Sequence, residues 1–154
     1  MTSHRNTTLQ RLLCTAALAL GLAAGSSARA QGRLDDDSVY RAWGGKPGIR
    51  AVMEDFVPRL EADPRIGRFF RREGRERLVT LLTDQLCQES GGPCQYEGAP
   101  MGMVHESLDI SKGDFNALVA VLQQSMEAMG FPFAAQNGML ARLAPMHREI
   151  ITRE

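Results

Sequence analysis

Few side chains in this sequence can do chemistry, and His105 stands first among them. It follows the methionine-rich run Pro100-Met101-Gly102-Met103-Val104 and comes shortly before a helix start at Ser111. A neutral imidazole is the commonest protein ligand for a metal ion, yet one histidine does not separate a ligand from a core imidazole. His147 lies near the end of the last expected helix, where a cation is favourable, and reads as a solvated surface residue. Cys87, Cys94 and His105 would make a zinc site only with a fourth ligand and paired short spacings, and both are missing. No Gly-x-Ser-x-Gly, His-Glu-x-x-His or glycine-rich phosphate loop occurs.

The elements that must position these residues are helices. After a polar, acidic stretch over 31–37, Val39, Tyr40 and Trp43 mark a short helix from Ser38 to Trp43, with an N-cap expected at the end of the acidic stretch. Gly44-Gly45 breaks it. Pro47 suits the first turn of the next helix, in which Ile49, Val52, Met53, Phe56, Val57 and Leu60 recur at three- and four-residue spacing. Pro58 should bend that helix, and Asp63-Pro64 ends it. Arg65 to Phe70 is a short basic turn closing on Phe69 and Phe70. A helix follows over 73–90, with Leu78, Leu81, Leu82, Gln85 and Leu86 on one side and Gly91-Gly92-Pro93 as its stop. Residues 94–99 form a loop, and the His105 segment is at best weakly helical. Ser111-Lys112-Gly113-Asp114 resembles a capping box with Asp in the usual Glu or Gln place. The amphipathic helix after it carries Phe115, Leu118, Val119, Leu122, Met126 and Met129. Gly130-Phe131-Pro132 breaks it. The last helix runs from about Ala135 to Ile151, with Met139, Leu140, Leu143, Met146 and Ile150 inward and a kink at Pro145. No stretch alternates with period two, so the fold class is all-α.

The first 30 residues are set apart from this pattern. Arg5 and Arg11 precede an apolar run from Leu12 to Gly25, and Ala28-Arg29-Ala30 offers a cleavage site: the order of a secretory signal peptide, with an uncleaved N-terminal anchor as the alternative. Cys14, preceded by Leu13, does not look like a lipid-attachment site. Cleavage near Ala30 would make the mature chain periplasmic or secreted, with a polar linker over 31–37 and one domain over 38–154. It removes three of the 18 bases and none of the 18 acids, a net charge of −3 that argues against a nucleic-acid partner. Export also permits a disulfide between Cys87 and Cys94, although two free thiols fit the sequence as well.

One histidine, two phenylalanines and several apolar stripes are what a haem needs, since its iron takes a single protein ligand inside an apolar cavity. The competing reading is a histidine in an unliganded helical domain. From Val39 to about Ile151 the chain resembles the group 1 truncated haemoglobins, two-over-two helical globins. The resemblance is carried by Gly44-Gly45-Lys46-Pro47-Gly48-Ile49, Glu54-Asp55-Phe56, Ala62-Asp63-Pro64-Arg65-Ile66 running into Phe69-Phe70, Gly91-Gly92-Pro93, Tyr96-Glu97-Gly98-Ala99-Pro100-Met101, the His105 segment with Ile110 and Phe115, and Leu143-Ala144-Pro145. No one of these is specific; their order and spacing are. The resemblance implies a truncated globin-like two-over-two helical sandwich around haem b. In it, His105 matches the proximal ligand of the iron and Phe70 the aromatic packed on the ring. Phe69, Met101, Val104, Ile110, Phe115 and Leu118 match pocket positions, with plain core packing as the alternative for each.

The departures concern the distal side. Val57 stands where oxygen-holding relatives usually carry a tyrosine, and Leu78 and Leu82 face the pocket where such relatives carry glutamine or threonine. A lost hydrogen bond to a polar ligand costs about 1–3 kcal/mol, so the expectation is fast oxygen release. Gln85, one turn on, faces the same side and could donate towards the ring edge. Ser107 and Asp109 replace glycines usual after the proximal histidine, which puts the turn geometry in question. Leu81 replaces a basic residue that often reaches a haem propionate, leaving Arg75 and Arg77 as candidates. The expected function is reversible binding of diatomic gases (O2, NO, CO). The alternatives are a haem enzyme turning over nitric oxide, nitrite or peroxide with an external reductase, and a haem-free helical interaction module.

Overall fold

The computed structural model describes residues 36–70 and 74–153; the expected signal peptide, residues 31–35 of the expected linker and the expected helix start at Glu73 lie outside them. The described helices are α1 (Ser38–Ala42), α2 (Gly45–Ala62), α3 (Arg75–Glu89), α4 (Met101–His105), α5 (Lys112–Ala128), α6 (Phe133–Leu143) and α7 (His147–Ile150). Two 3-10 turns, Gly67–Phe69 and Ala144–Met146, join them. Among the described residues no helix is long and apolar enough to cross a membrane.

α2 is the central beam, and its six spaced apolar residues Ile49, Val52, Met53, Phe56, Val57 and Leu60 are all buried. Removing side chains of this size from water is worth about 1.5–3 kcal/mol each. α3 and α5 both pack on α2, α6 packs on α1 and α3, and α4 packs on α7. The glycine motif ahead of α2 has a steric reason. Gly44 and Gly45 have φ of 74° and 69°, and a Cβ on Gly48 would stand 1.8 Å from the Trp43 carbonyl oxygen. That close approach lets Trp43 turn inward, where its indole N–H donates to the Ala135 carbonyl at 3.0 Å.

Four expectations change. Asp37 stands at the N-cap of α1 without capping it; the Asp36 carboxylate accepts the Ser38 N–H instead. The long C-terminal helix is three pieces, because Pro145 turns the chain into a 3-10 step, and it starts earlier, at Phe133 behind Pro132. The His105 segment is a true if short helix. The fourth change concerns which stripes meet the core. On α3 the buried residues are Val79, Thr83, Gln85, Leu86 and Cys87, while Leu78, Leu81 and Leu82 stay half-buried. On α5 they are Ala117, Val121, Leu122, Ser125 and Met126; Phe115, Leu118 and Val119 are half-buried and Met129 is exposed. Each helix thus carries an apolar arc wider than the face it shows to α2.

Candidate functional site

His105 closes α4, and its ring Nδ1 lies 2.7 Å from the Met101 carbonyl oxygen one turn back. A carbonyl can only accept, so Nδ1 carries the proton and the Nε2 lone pair is left for a ligand. Orientation of one ring nitrogen by a backbone carbonyl is how ligating histidines are held. The ring is half-buried, at the boundary between α4 and the turn behind it.

That turn replaces the expected glycines with a different device. Asp109 has φ of 54°, a left-handed conformation that Asp tolerates better than most residues. The C-terminal tail fastens it: the Ile110 N–H donates to Thr152 Oγ1 at 2.8 Å, and the Thr152 and Arg153 N–H groups both donate to the Ile110 carbonyl. Arg153 also pairs with Asp109 at 3.2 Å. Nothing in the local pattern pointed to the tail, because its partners lie some forty residues away.

Directly after this turn α5 starts on a complete capping box. Ser111 Oγ accepts the Asp114 N–H at 3.2 Å, and the Asp114 carboxylate accepts the Ser111 N–H at 3.0 Å. Arg68 reaches Asp114 at 3.1 Å from the turn carrying the two phenylalanines. The Ser111 hydrogen bonds, with Arg68 behind them, hold the Asp114 carboxyl below its usual range. Arg68 also lies over the Phe69 ring, 4.2 Å from its centroid. The Phe69-Phe70 turn and the start of α5 are therefore tied together beside the histidine turn.

The other expected site residues fall into three groups. Phe69, Phe70, Leu78, Leu82 and Leu118 are half-buried apolar residues packed against the core. Val57 is sealed inside the core and Ile110 is buried. Val104 is exposed beside Met103, so on this geometry it is a surface residue of α4. Phe115 is half-buried and meets His147 edge-on, ring centroids 6.3 Å apart. His147 is exposed, as expected, with Nδ1 on the Ala144 carbonyl. Arg75 is committed to Glu61 on α2, which weakens its claim on a propionate.

Gln85 is, with Thr83, one of the two polar residues buried on α3. It is 7% exposed, and its amide nitrogen lies 3.2 Å from the Met101 sulfur and 3.6 Å from the Met146 sulfur. Two residues on, Cys87 forms a disulfide with Cys94 that ties the end of α3 to the loop leading into α4. Among the described residues no cluster of three His, Cys, Asp or Glu could hold a metal ion. The donor set on offer is thus one imidazole among apolar side chains, which suits a haem and no bare metal ion.

The bacterial-like globin family matches residues 38–152. A group 1 truncated haemoglobin, GlbN, of Mycolicibacterium paratuberculosis is 32% identical over 117 residues, covering 76% of this chain and 86% of the relative. The chain belongs to the group 1 truncated haemoglobins. A second member of that group, from Tetrahymena pyriformis, is 26% identical over 100 residues, covering 65% of this chain and 83% of the relative. The crystal structure of truncated haemoglobin from Tetrahymena pyriformis in its Fe(III) form superposes with a TM-score of 0.70 at 23% identity, covering 73% of this chain and 97% of that one. The 2/2 haemoglobin of Synechococcus sp. PCC 7002, solved in the cyanomet state with covalently attached haem, gives 0.69 at 18% identity, over 75% and 98%. These likenesses establish the two-over-two helical fold. As a truncated haemoglobin the chain is a haem globin that binds diatomic gases.

Proposed function

We propose that this globin holds haem b through His105 and binds diatomic gases reversibly in a largely apolar pocket. The observation that carries the reading is the His105 Nδ1–Met101 carbonyl hydrogen bond, which leaves Nε2 as the nitrogen that would ligate the iron. Phe70, Phe69, Met101, Ile110, Phe115 and Leu118 would form the walls, and Leu78 and Leu82 the distal side. The haem iron, when bound, supplies the coordination position at which the gas is held. The chain's own contribution is to fix the imidazole tautomer, exclude water and offer little polarity to the ligand. Leu78 and Leu82 cannot deliver a proton, so acid–base cleavage of peroxide is not favoured. Turnover of nitric oxide or nitrite would need an external reductase. We also propose that the chain is exported, on the strength of its N-terminal pattern and of the Cys87–Cys94 bridge; N-terminal sequencing of protein recovered from cell fractions tests this.

The central test is absorbance of purified His105→Ala and His105→Gly. Both should lose stable haem incorporation, and added imidazole should restore a Soret band in the glycine variant. Full haem content and an unchanged spectrum in the alanine variant would sink the assignment. A wild-type protein with no Soret band after haem reconstitution would favour the haem-free module.

A further inference from the structure

We propose that Thr152 is a positioning residue for His105: with its neighbours it clamps the turn behind the histidine and so fixes how the imidazole is presented to the iron. This role rests on the haem reading above and deepens it. The Leu108 N–H donates to the His105 carbonyl at 3.0 Å, which ties the histidine backbone to the turn. At the next residue, Asp109 takes its left-handed φ of 54°. Even for Asp that conformation is disfavoured, and it persists where the surroundings over-determine it. Residues 152 and 153 do so here. The buried Ile110 commits both its backbone groups to them. Its N–H donates to Thr152 Oγ1 at 2.8 Å, and its carbonyl accepts the N–H groups of Thr152 at 2.9 Å and Arg153 at 3.0 Å. Arg153 in turn pairs with Asp109 at 3.2 Å.

The course of the chain supports the same role. α7 packs on α4 and runs straight into Ile151, so the element lying along the histidine helix also delivers the clamp behind it. α4 has 5 residues, and a helix so short makes too few hydrogen bonds of its own to hold a direction. His105 is instead held from two sides: its Nδ1 by the Met101 carbonyl one turn before, and its backbone by the clamped turn just after. Groups that do not touch a metal but orient its ligand tune the bond between them. Thr152 is exposed, so water takes over part of any bond it loses and the effects of substitution are graded.

The experiment compares wild-type holoprotein with Thr152→Ser, which keeps the hydroxyl, Thr152→Val, which loses it, and Thr152→Pro, which loses both the hydroxyl and the N–H. The iron–histidine stretch of the ferrous, ligand-free form, read by resonance Raman, should stay in place in Thr152→Ser, shift and broaden in Thr152→Val, and shift most in Thr152→Pro. Haem loss to an excess of apomyoglobin should quicken in the same order, by roughly two- to fivefold in Thr152→Val. The C–O stretch of the carbonyl complex, which reports the opposite side of the haem, should not move. In His105→Gly loaded with imidazole the ligand has no peptide link to the turn, so adding Thr152→Val should leave the iron–imidazole band where it is. If Thr152→Pro fails to fold, Thr152→Val and the imidazole comparison carry the same reading. A lowered unfolding midpoint with an unmoved iron–histidine band in Thr152→Val would overturn the proposal and leave the clamp a stabilising contact; so would an equal shift in the imidazole-loaded protein. Failure of the haem reading itself shows elsewhere, in the wild-type and His105→Ala spectra, whatever the Thr152 variants do.

Discussion

Reducing the Cys87–Cys94 bridge should destabilise the fold without rearranging it. The bridge spans a sequence separation of 7 with Cα atoms 5.7 Å apart. In the chain-entropy description, freeing a loop of that length returns roughly 8 cal/mol/K to the unfolded chain, about 2.4 kcal/mol at 25 °C. For a domain of this size 1 kcal/mol corresponds to about 4 °C, so the midpoint should fall by about 10 °C. The native loop has other supports that survive reduction: the Gly92 N–H donates to the Cys87 carbonyl at 2.8 Å, the Tyr96 N–H to the Gln88 side chain at 2.8 Å, and the Tyr96 hydroxyl to the Ala99 carbonyl at 3.2 Å. The loss should therefore lie in the unfolded state. Thermal unfolding followed by far-UV circular dichroism, with and without a dithiol or phosphine reductant, measures the shift. Hydrogen exchange over 91–105 in the folded protein checks the mechanism. A fall below about 3 °C would show that the loop-entropy estimate fails here. A large loss of protection in α4 would show that the bridge holds the native His105 helix, contrary to the reasoning.

Two further predictions follow from the turns beside the site. Ser111→Ala should cost about 1 kcal/mol by stripping the Asp114 N–H of its acceptor, and Ser111→Ala/Asp114→Ala should cost less than the sum of the single changes, because both act in one box; urea unfolding of the three variants decides it. Arg65 lies against Asp63 and holds its carboxyl down at about 2. A carboxyl depressed in the folded state contributes stability above its unfolded pKa of roughly 4, and loses it as the pH falls towards 2. Asp63→Asn should accordingly have a lower midpoint than wild type at pH 7, and the two midpoints should converge between pH 4 and 2. A gap independent of pH would refute the assignment.

The local structure was legible in the residues themselves because its causes are local. The apolar spacing of α2, the glycine and proline breaks, the Ser111–Asp114 box and the two-aromatic turn all depend on neighbours within a few positions, and all are present. The family could be read from the order of the same short motifs, and it was the resemblance that singled out His105 as the expected ligand. What the site residues do is another matter. Periodicity defines the apolar arc of a helix but not which part of a wide arc meets protein, so the buried faces of α3 and α5 overlap the expected stripes only in part, at Gln85 and Leu86 and at Leu122 and Met126.

Only tertiary structure brings together groups distant along the chain. It brings Met146 and Met101 to the Gln85 amide nitrogen, fastens the tail at Thr152 and Arg153 to the turn at Asp109 and Ile110, and brings the two cysteine sulfurs within bonding distance. Each of these pairings depends on the three-dimensional course of several helices at once. Residue types at their own positions carry no record of that course. The sequence alone determined that this chain is a helical globin with one credible ligand histidine. The packing decided how that histidine is oriented and which polar group shares its surroundings.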